Sequence, residues 1–89
     1  MKKQFEFEFE DLSSRNTISF EYDGEVEEKM SVLCENDVPV IYVNRQALLF
    51  LAKTFIKMAL GEYPIGFHIH LSQDLDTDQP EAVRIVLSN

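Results

Sequence analysis

The chain has little of what several classes of protein require. Its 89 residues include one cysteine, three glycines, three prolines and no tryptophan. Cys34 has no second cysteine with which to form a disulfide inside the chain, which is typical of a reducing cytoplasm. So few glycines leave no room for a glycine-rich loop of the kind that binds phosphate groups. The longest uninterrupted apolar run, residues 47–52, is far too short to span a bilayer.

The amino terminus also lacks the pattern of a secretion signal. Lys2 and Lys3 are basic, but no apolar stretch follows them. Apolar residues make up 45% of the chain and charged residues 27%, the balance of a folded, soluble protein. A chain of this length supports one hydrophobic core. We therefore predict a single cytoplasmic domain over residues 1–89 that has no membrane partner.

Positive charge is scarce and unevenly placed. Eight bases stand against sixteen acids, for a formal net charge of -8. Residues 1–37 hold eleven of the acids and four of the bases, so nearly all of the negative field comes from them. This field repels nucleic-acid backbones and favours capture of a basic protein. The alternative interpretation is that the acids only keep the protein in solution.

Alternating residues predict strands in the first half of the chain. Residues 5–10 alternate phenylalanine with glutamate, which places three rings on one face and three carboxylates on the other. Residues 18–22 alternate in the same way, and Asp23-Gly24 predicts a hairpin to a third strand. A three-residue loop that pairs Tyr22 with Val26 matches the apolar residues best.

The second half predicts one helix between strands. Residues 38–43 are apolar on both faces, Asn44 suits a helix N-cap, and Gly61 suits the end of a helix over residues 45–60. Two further strands are expected at residues 67–71 and 83–87. The predicted fold is α+β, a single helix packed on a mainly antiparallel sheet, in the order β-β-β-β-α-β-β.

The predicted helix carries more apolar surface than one sheet covers. At 100° per residue, one broad apolar side can face the sheet, and a narrow stripe of Gln46, Lys53 and Lys57 lies opposite it. The residues of the broad side are Ala47, Leu48, Leu51, Ala52, Phe55, Met58 and Ala59. Apolar residues flank that stripe: Leu49, Phe50, Ile56 and Leu60. We interpret these flanks as the contact of a homodimer or of another partner. The alternative is that loops, or the acidic start of the chain, cover them.

His68 and His70 lie two residues apart on a predicted strand and so share a face. They could supply two zinc ligands, but zinc needs a third and a fourth, and the spacing of the other residues supplies neither. We therefore expect no metal site and interpret the imidazoles as contacts to a partner, with a surface pair of no function as the alternative. Neither Ser72 nor Cys34 lies in a nucleophile motif, so neither catalysis nor a cofactor is expected.

Residues 43–52, 55–59 and 66–71 together form a recognisable pattern. A strand ends in an asparagine, a helix rich in leucine and alanine follows, and a His-x-His-Leu strand comes after it. Over about residues 38–89 the chain resembles immunity protein family 32 of bacterial polymorphic toxin systems. This resemblance implies a non-catalytic, cytoplasmic protein that binds a cognate toxin domain and blocks it.

The charge distribution and the resemblance together predict which residues contact that toxin. The predicted hairpin places Glu21, Asp23, Glu25 and Glu27 around one exposed turn, with Glu28 near them. These five acids are hereafter called the acidic group. His68 and His70 complete the predicted partner-binding set. If the toxin is a basic nuclease, the carboxylates could occupy its phosphate-binding groove. The rival hypotheses are a structural or oligomerising domain with no toxin partner, and a metal-dependent enzyme that uses the two histidines.

Overall fold

The described residues of the chain fold into two β-hairpins and one helix. The computed structural model describes residues 1–20, 25, 27–75 and 79–89. Its elements are a single 3-10 turn at Ser13–Arg15, strands β1 (Met30–Glu35) and β2 (Val38–Val43), helix α1 (Arg45–Leu60), and strands β3 (His68–Ser72) and β4 (Glu81–Val86). The α+β class predicted from the sequence is confirmed, and so are the bounds of the helix, with Asn44 and Gly61 as its caps.

The order of strands differs from the prediction. The described residues form two antiparallel sheets of two strands each, β1-β2 and β3-β4, in place of one larger sheet. Residues 5–10 and 17–20 form no strand, and residues 21–24 and 26, with the predicted hairpin loop, lie outside the described residues. Alternation fixes which side each residue faces, but it does not supply a neighbouring strand. The rings of Phe5, Phe7 and Phe9 do stack along one side, yet no backbone hydrogen bond joins residues 4–10 to another described residue.

The β1-β2 hairpin turns tightly at Asn36 and Asp37. Both residues have positive φ, 53° and 66°, as a two-residue type I′ turn requires, and asparagine and aspartate tolerate this conformation. The resulting register pairs Glu35 with Val38 and Met30 with Val43. Met30 therefore lies on the face of the hairpin that is buried against the helix.

The β3-β4 hairpin alternates between a buried and an exposed face. Ile69 and Leu71 are buried, whereas His68 and His70 are exposed. The register pairs His70 with Arg84 and shifts by a bulge between Leu71 and Ser72. A single described hydrogen bond, from Val32 N to Gln73 O at 2.9 Å, joins this hairpin to the first one.

The core forms where α1 meets both hairpins. Among the described residues, six buried side chains form one cluster there: Met30, Val32, Ala47, Phe50, Leu51 and Leu71. The buried stripe of the helix also includes Thr54, Lys57 and Met58, whereas Leu48 and Phe55, which we expected to face the sheet, are exposed. Most of the helix is apolar, so the sequence offers adjacent stripes of similar hydrophobicity. The positions of the hairpins select one of them.

Lys57 is buried because the start of the chain covers it. We call residues 4–20 the N-terminal segment. The Lys57 side chain is only 3% exposed, and its Nζ donates hydrogen bonds to the backbone oxygen of Ser19 at 3.0 Å and to the Ser19 hydroxyl at 2.9 Å. The Phe7 ring lies 5.7 Å from the same ammonium. Part of the predicted polar stripe therefore contacts the N-terminal segment and does not face solvent.

A second anchor of the N-terminal segment lies just beyond the helix. The Tyr63 hydroxyl donates to the backbone oxygen of Thr17 at 2.6 Å, and the Glu62 amide donates to the Ser13 hydroxyl at 3.0 Å. Burial raises the pKa of Tyr63, and the negative charge of Asp11 adds to the effect. Gly61 permits this arrangement, since a Cβ there would lie 2.6 Å from the Tyr63 ring. Phe20, at the other end of the segment, stacks on Phe50 with ring centroids 6.0 Å apart.

We predict that Lys57→Ala destabilises the protein more than Lys53→Ala does. The first change removes a buried donor and leaves Ser19 without it, which costs about 1–3 kcal/mol. Lys53 is only partly buried, and its ammonium lies 5.5 Å from the Phe7 ring, a contact that contributes about 0.5–1 kcal/mol at an exposed site. Urea unfolding of both variants measures the difference. Equal losses would show that the N-terminal segment does not depend on Lys57.

We predict that two adjacent helix residues, Phe50 and Leu49, contribute very different amounts to the free energy of unfolding. Phe50 is 5% exposed, so Phe50→Ala should lower the free energy of unfolding by about 3–5 kcal/mol through the cavity it leaves. Leu49 is 51% exposed, and Leu49→Ala should change it by no more than about 0.5 kcal/mol. Chemical denaturation compares the two, and Phe50→Leu provides a folded reference if the alanine variant does not fold. Comparable costs at both sites would contradict the core described here.

Candidate functional site

Asn44 ties the segment that precedes β1 to the first turn of α1. Its Oδ1 accepts hydrogen bonds from the Ala47 amide at 2.8 Å and from the Lys29 amide at 3.1 Å, while its Nδ2 donates to the Glu27 backbone oxygen at 2.8 Å. The Asn44 amide also donates to the Lys29 backbone oxygen at 3.0 Å. One side chain thus caps the helix and fixes the backbone of residues 27–29 beside the helix N terminus.

Asn44 thereby fixes the backbone at Glu27, one of the three described residues of the acidic group. Glu25 and Glu27 are exposed, and Glu28 is half-buried. Glu27 lies 3.7 Å from Lys29, but both side chains are largely exposed, so this ion pair contributes little to stability. Glu21 and Asp23 lie outside the described residues. The structure therefore places three of the five predicted acids in the stretch that leads into β1, and Asn44 ties this stretch to the helix N terminus at Glu27 and Lys29.

The N-terminal segment adds a second row of exposed acids. Glu6, Glu8 and Glu10 are exposed, as expected for the side of residues 5–10 opposite the stacked rings. Asp11 follows them and accepts a hydrogen bond from the Ser13 amide at 2.9 Å, which lowers the pKa of Asp11. The alternation of residues 5–10 predicted this row as one face of a strand. It is instead carried on a segment that lies across the helix.

The outer face of the β3-β4 hairpin, hereafter the histidine face, brings both predicted histidines together. Their rings meet edge to face, with centroids 4.9 Å apart. His70 Nδ1 contacts the Glu81 carboxylate, and the other oxygen of Glu81 accepts from Arg84 at 3.0 Å. His68 Nδ1 lies 3.1 Å from the Gly66 backbone oxygen. Residue spacing did not indicate Glu81 and Arg84, because only the pairing of β3 with β4 brings them beside the histidines.

The predicted helix contact is divided between the core and the surface. Leu49 is 51% exposed, Leu60 is 71% exposed and Ile56 is half-buried. Phe50 lies in the core and so does not belong to a surface contact. This correction follows from its position on the helix stripe that faces the hairpins, where Phe20 of the N-terminal segment also covers it.

The described residues include an apolar groove that the sequence did not indicate. Phe55, Met58 and Ala59 of α1 form one wall, and residues 85–88 form the other, around about 330 Å³ of open space. It is a shallow depression in the surface whose lining is mainly apolar. It therefore has the chemistry of a contact patch and offers no convergent polar groups that would orient a small molecule.

Two further features of the described residues bear on function. No three or more histidine, cysteine, aspartate or glutamate side chains among them are grouped so that they could hold a metal ion. The described helix is too short to cross a membrane.

Comparison of the chain with models of protein families, with curated proteins and with solved structures gives no match.

We predict that Asn44→Ala lowers the free energy of unfolding by about 1–3 kcal/mol, because it removes the helix cap and the two links to residues 27–29. Asn44→Ser should lose less, since its shorter side chain still accepts from Ala47 but does not reach Lys29 or Glu27. Urea unfolding measures stability, and hydrogen exchange of the Lys29 amide measures the link. Protection of that amide in Asn44→Ala equal to the native value would contradict the role assigned to this residue.

Proposed function

We propose that the chain is a non-catalytic immunity protein, antitoxin-like in action, which binds and neutralises a cognate toxin domain through its acidic surface. The observation that carries the proposal is the concentration of negative charge in residues 1–37, where exposed acids lie on an anchored backbone. The pattern of residues 38–89, which resembles immunity protein family 32, supports the same function. Such a protein would act in the cytoplasm of a bacterial cell.

The acidic surface suits a basic nuclease as the toxin. Nucleases bind phosphate backbones with clusters of lysine and arginine, and carboxylates that reach the same cations compete with the substrate. Asn44 supports this by fixing the backbone of Glu27, so fewer conformations are lost when a partner binds. His68 and His70 add exposed hydrogen-bonding groups on a separate face.

A second candidate function is a structural or oligomerising domain. The exposed leucines of α1 favour it, because Leu48, Leu49 and Leu60 are each more than half exposed on one short helix. Apolar side chains grouped in this way commonly mark an interface. In the immunity protein this surface, with Ile56, would be a contact to the toxin or to a second copy.

We predict that neutralising the acidic group slows capture of the toxin and leaves thermal stability unchanged or slightly raised. The variant replaces Glu21, Asp23, Glu25, Glu27 and Glu28 with the matching amides. Exposed charges at the edge of an interface mainly raise the association rate at low salt, and they repel one another in the free protein. Affinity capture from the native cell followed by mass spectrometry identifies the toxin, and association kinetics at low and high salt then compare the variant with the native protein.

The matched control neutralises five acids outside the acidic group: Glu10, Glu35, Asp37, Glu62 and Asp74. It changes the net charge by the same amount, so a larger loss of rate in the first variant assigns the effect to the acidic group. Equal rates for all three proteins at low salt would show that the acids serve solubility only. Capture of no toxin would favour the structural domain.

A further inference from the structure

Strand β2 has the composition of an interior strand but lies at the edge of its sheet. Among the described residues, β1 is its one neighbour. Residues 38–43 are apolar on both faces, which is typical of a strand that is covered on both sides. Yet the side chains of Val38, Ile41 and Tyr42 are each close to half exposed. Edge strands are usually protected by charged residues or proline, and β2 carries only Pro39.

The register of the β1-β2 hairpin shows which backbone groups of β2 point away from β1. In a hairpin with a two-residue turn, the two residues that flank the turn exchange hydrogen bonds, and hydrogen-bonded pairs then alternate with pairs that form none. Glu35 and Val38 flank the turn, and the bond from the Asn44 amide to the Lys29 backbone oxygen falls on the same alternation. Every second residue of β2 therefore directs its backbone groups to the opposite edge.

The outward backbone groups belong to Pro39, Ile41 and Val43. Val32, which pairs with Ile41, supports this direction, because its amide donates away from β2 to the Gln73 oxygen at 2.9 Å. Pro39 has no amide, so the edge offers its carbonyl, both groups of Ile41 and the amide of Val43. None of these groups bonds to a described residue outside the hairpin. An extended segment laid along this edge would pair with all of them.

The charge of the hairpin decides which segment fits this edge. Residues 30–43 contain Glu35 and Asp37, both exposed, and no basic side chain. A second copy of the chain would bring the same acids and a net charge of -8 against the first. Lysine or arginine side chains on the incoming segment would instead lie near these carboxylates. We propose that the outer edge of β2 takes up an extended, basic segment of another protein as a third strand.

Strand addition would use both the backbone and the side chains that β2 leaves exposed. Main-chain hydrogen bonds supply affinity, while alternate side chains of the added strand contact Ile41 on one face and Val38 and Tyr42 on the other. The inference goes beyond the proposed function and does not depend on it, because the segment is defined by its extended backbone and its charge. In an immunity protein, the added strand would belong to the toxin.

The test uses a synthetic peptide of about the length of β2, capped at both ends, in which lysine alternates with valine. It is added to the full chain, and NMR follows the hydrogen exchange of each backbone amide. The amides of Ile41 and Val43 should exchange rapidly in the free chain and become protected when the peptide binds. The amide of Tyr42 already donates to β1, so its protection should change little. A control peptide that alternates glutamate with valine should not bind, and added salt should weaken binding of the lysine peptide.

Two substitutions at Ile41 separate its amide from its side chain. Ile41→Pro removes the outward amide, which no bond to β1 uses, and Ile41→Ala removes most of the same side chain but keeps the amide. Ile41→Pro should bind the lysine peptide about tenfold or more weakly than Ile41→Ala does. Protection of the Tyr42 amide shows that the hairpin persists in each variant. If Ile41→Pro does not fold, the exchange of the native amides decides the question.

Several results would overturn the added strand. They are equal affinity of the two folded variants, no binding of the lysine peptide, and binding that leaves Ile41 and Val43 unprotected. Equal binding of the glutamate peptide would overturn the requirement for a basic segment. Dimerisation of the free chain that protects the same two amides would make a second copy the occupant of this edge, and it would overturn the proposal as well.

Discussion

The hydrogen bonds of Asn44 are the constraint on which the arrangement of the chain depends. A helix N terminus leaves amides unpaired, and Asn44 satisfies that of Ala47 while it also accepts from Lys29 and donates to Glu27. The asparagine stands between β2 and α1, so the same residue sets where the helix begins and where the chain enters β1. Because Met30 follows directly and pairs with Val43, the register of the first hairpin is continuous with this anchor. The placement of Glu27 is thus a consequence of helix capping.

A buried lysine has the corresponding role at the other end of the helix. An ammonium group loses much of its hydration when it is buried, and it is retained only where polar atoms replace the water. Lys57 obtains the oxygens of Ser19 in this way, and the Phe7 ring lies within reach of its charge. The N-terminal segment has no strand partner among the described residues, so side chains of the helix and of Tyr63 hold it instead. The chain therefore carries acidic residues at both ends of the helix on backbone that side chains fix.

Sequence reasoning succeeded where one local interaction decides the structure. Asn44 and Gly61 define the ends of α1, and period-two alternation correctly assigns His68 and His70 to one exposed face. It failed where the outcome depends on which elements meet. Residues 5–10 alternate like a strand but lie beside helix side chains, and Phe50 is buried because the hairpins and Phe20 select its stripe of the helix. The pairing of Glu81 with His70 depends on the register of β3 with β4 and on a bulge, which residue spacing does not reveal.

The separation of the exposed surfaces follows from the same alternation. Residues of β3 that point inward pack against the core with α1, so the histidine face lies on the side of the hairpin that faces away from the helix. The acidic stretch at Glu27 is instead held beside the N terminus of the helix, where Asn44 bonds its backbone. The exposed acids and the exposed histidines are therefore held by different elements of the same small fold, so a substitution in one surface leaves the backbone that holds the other in place.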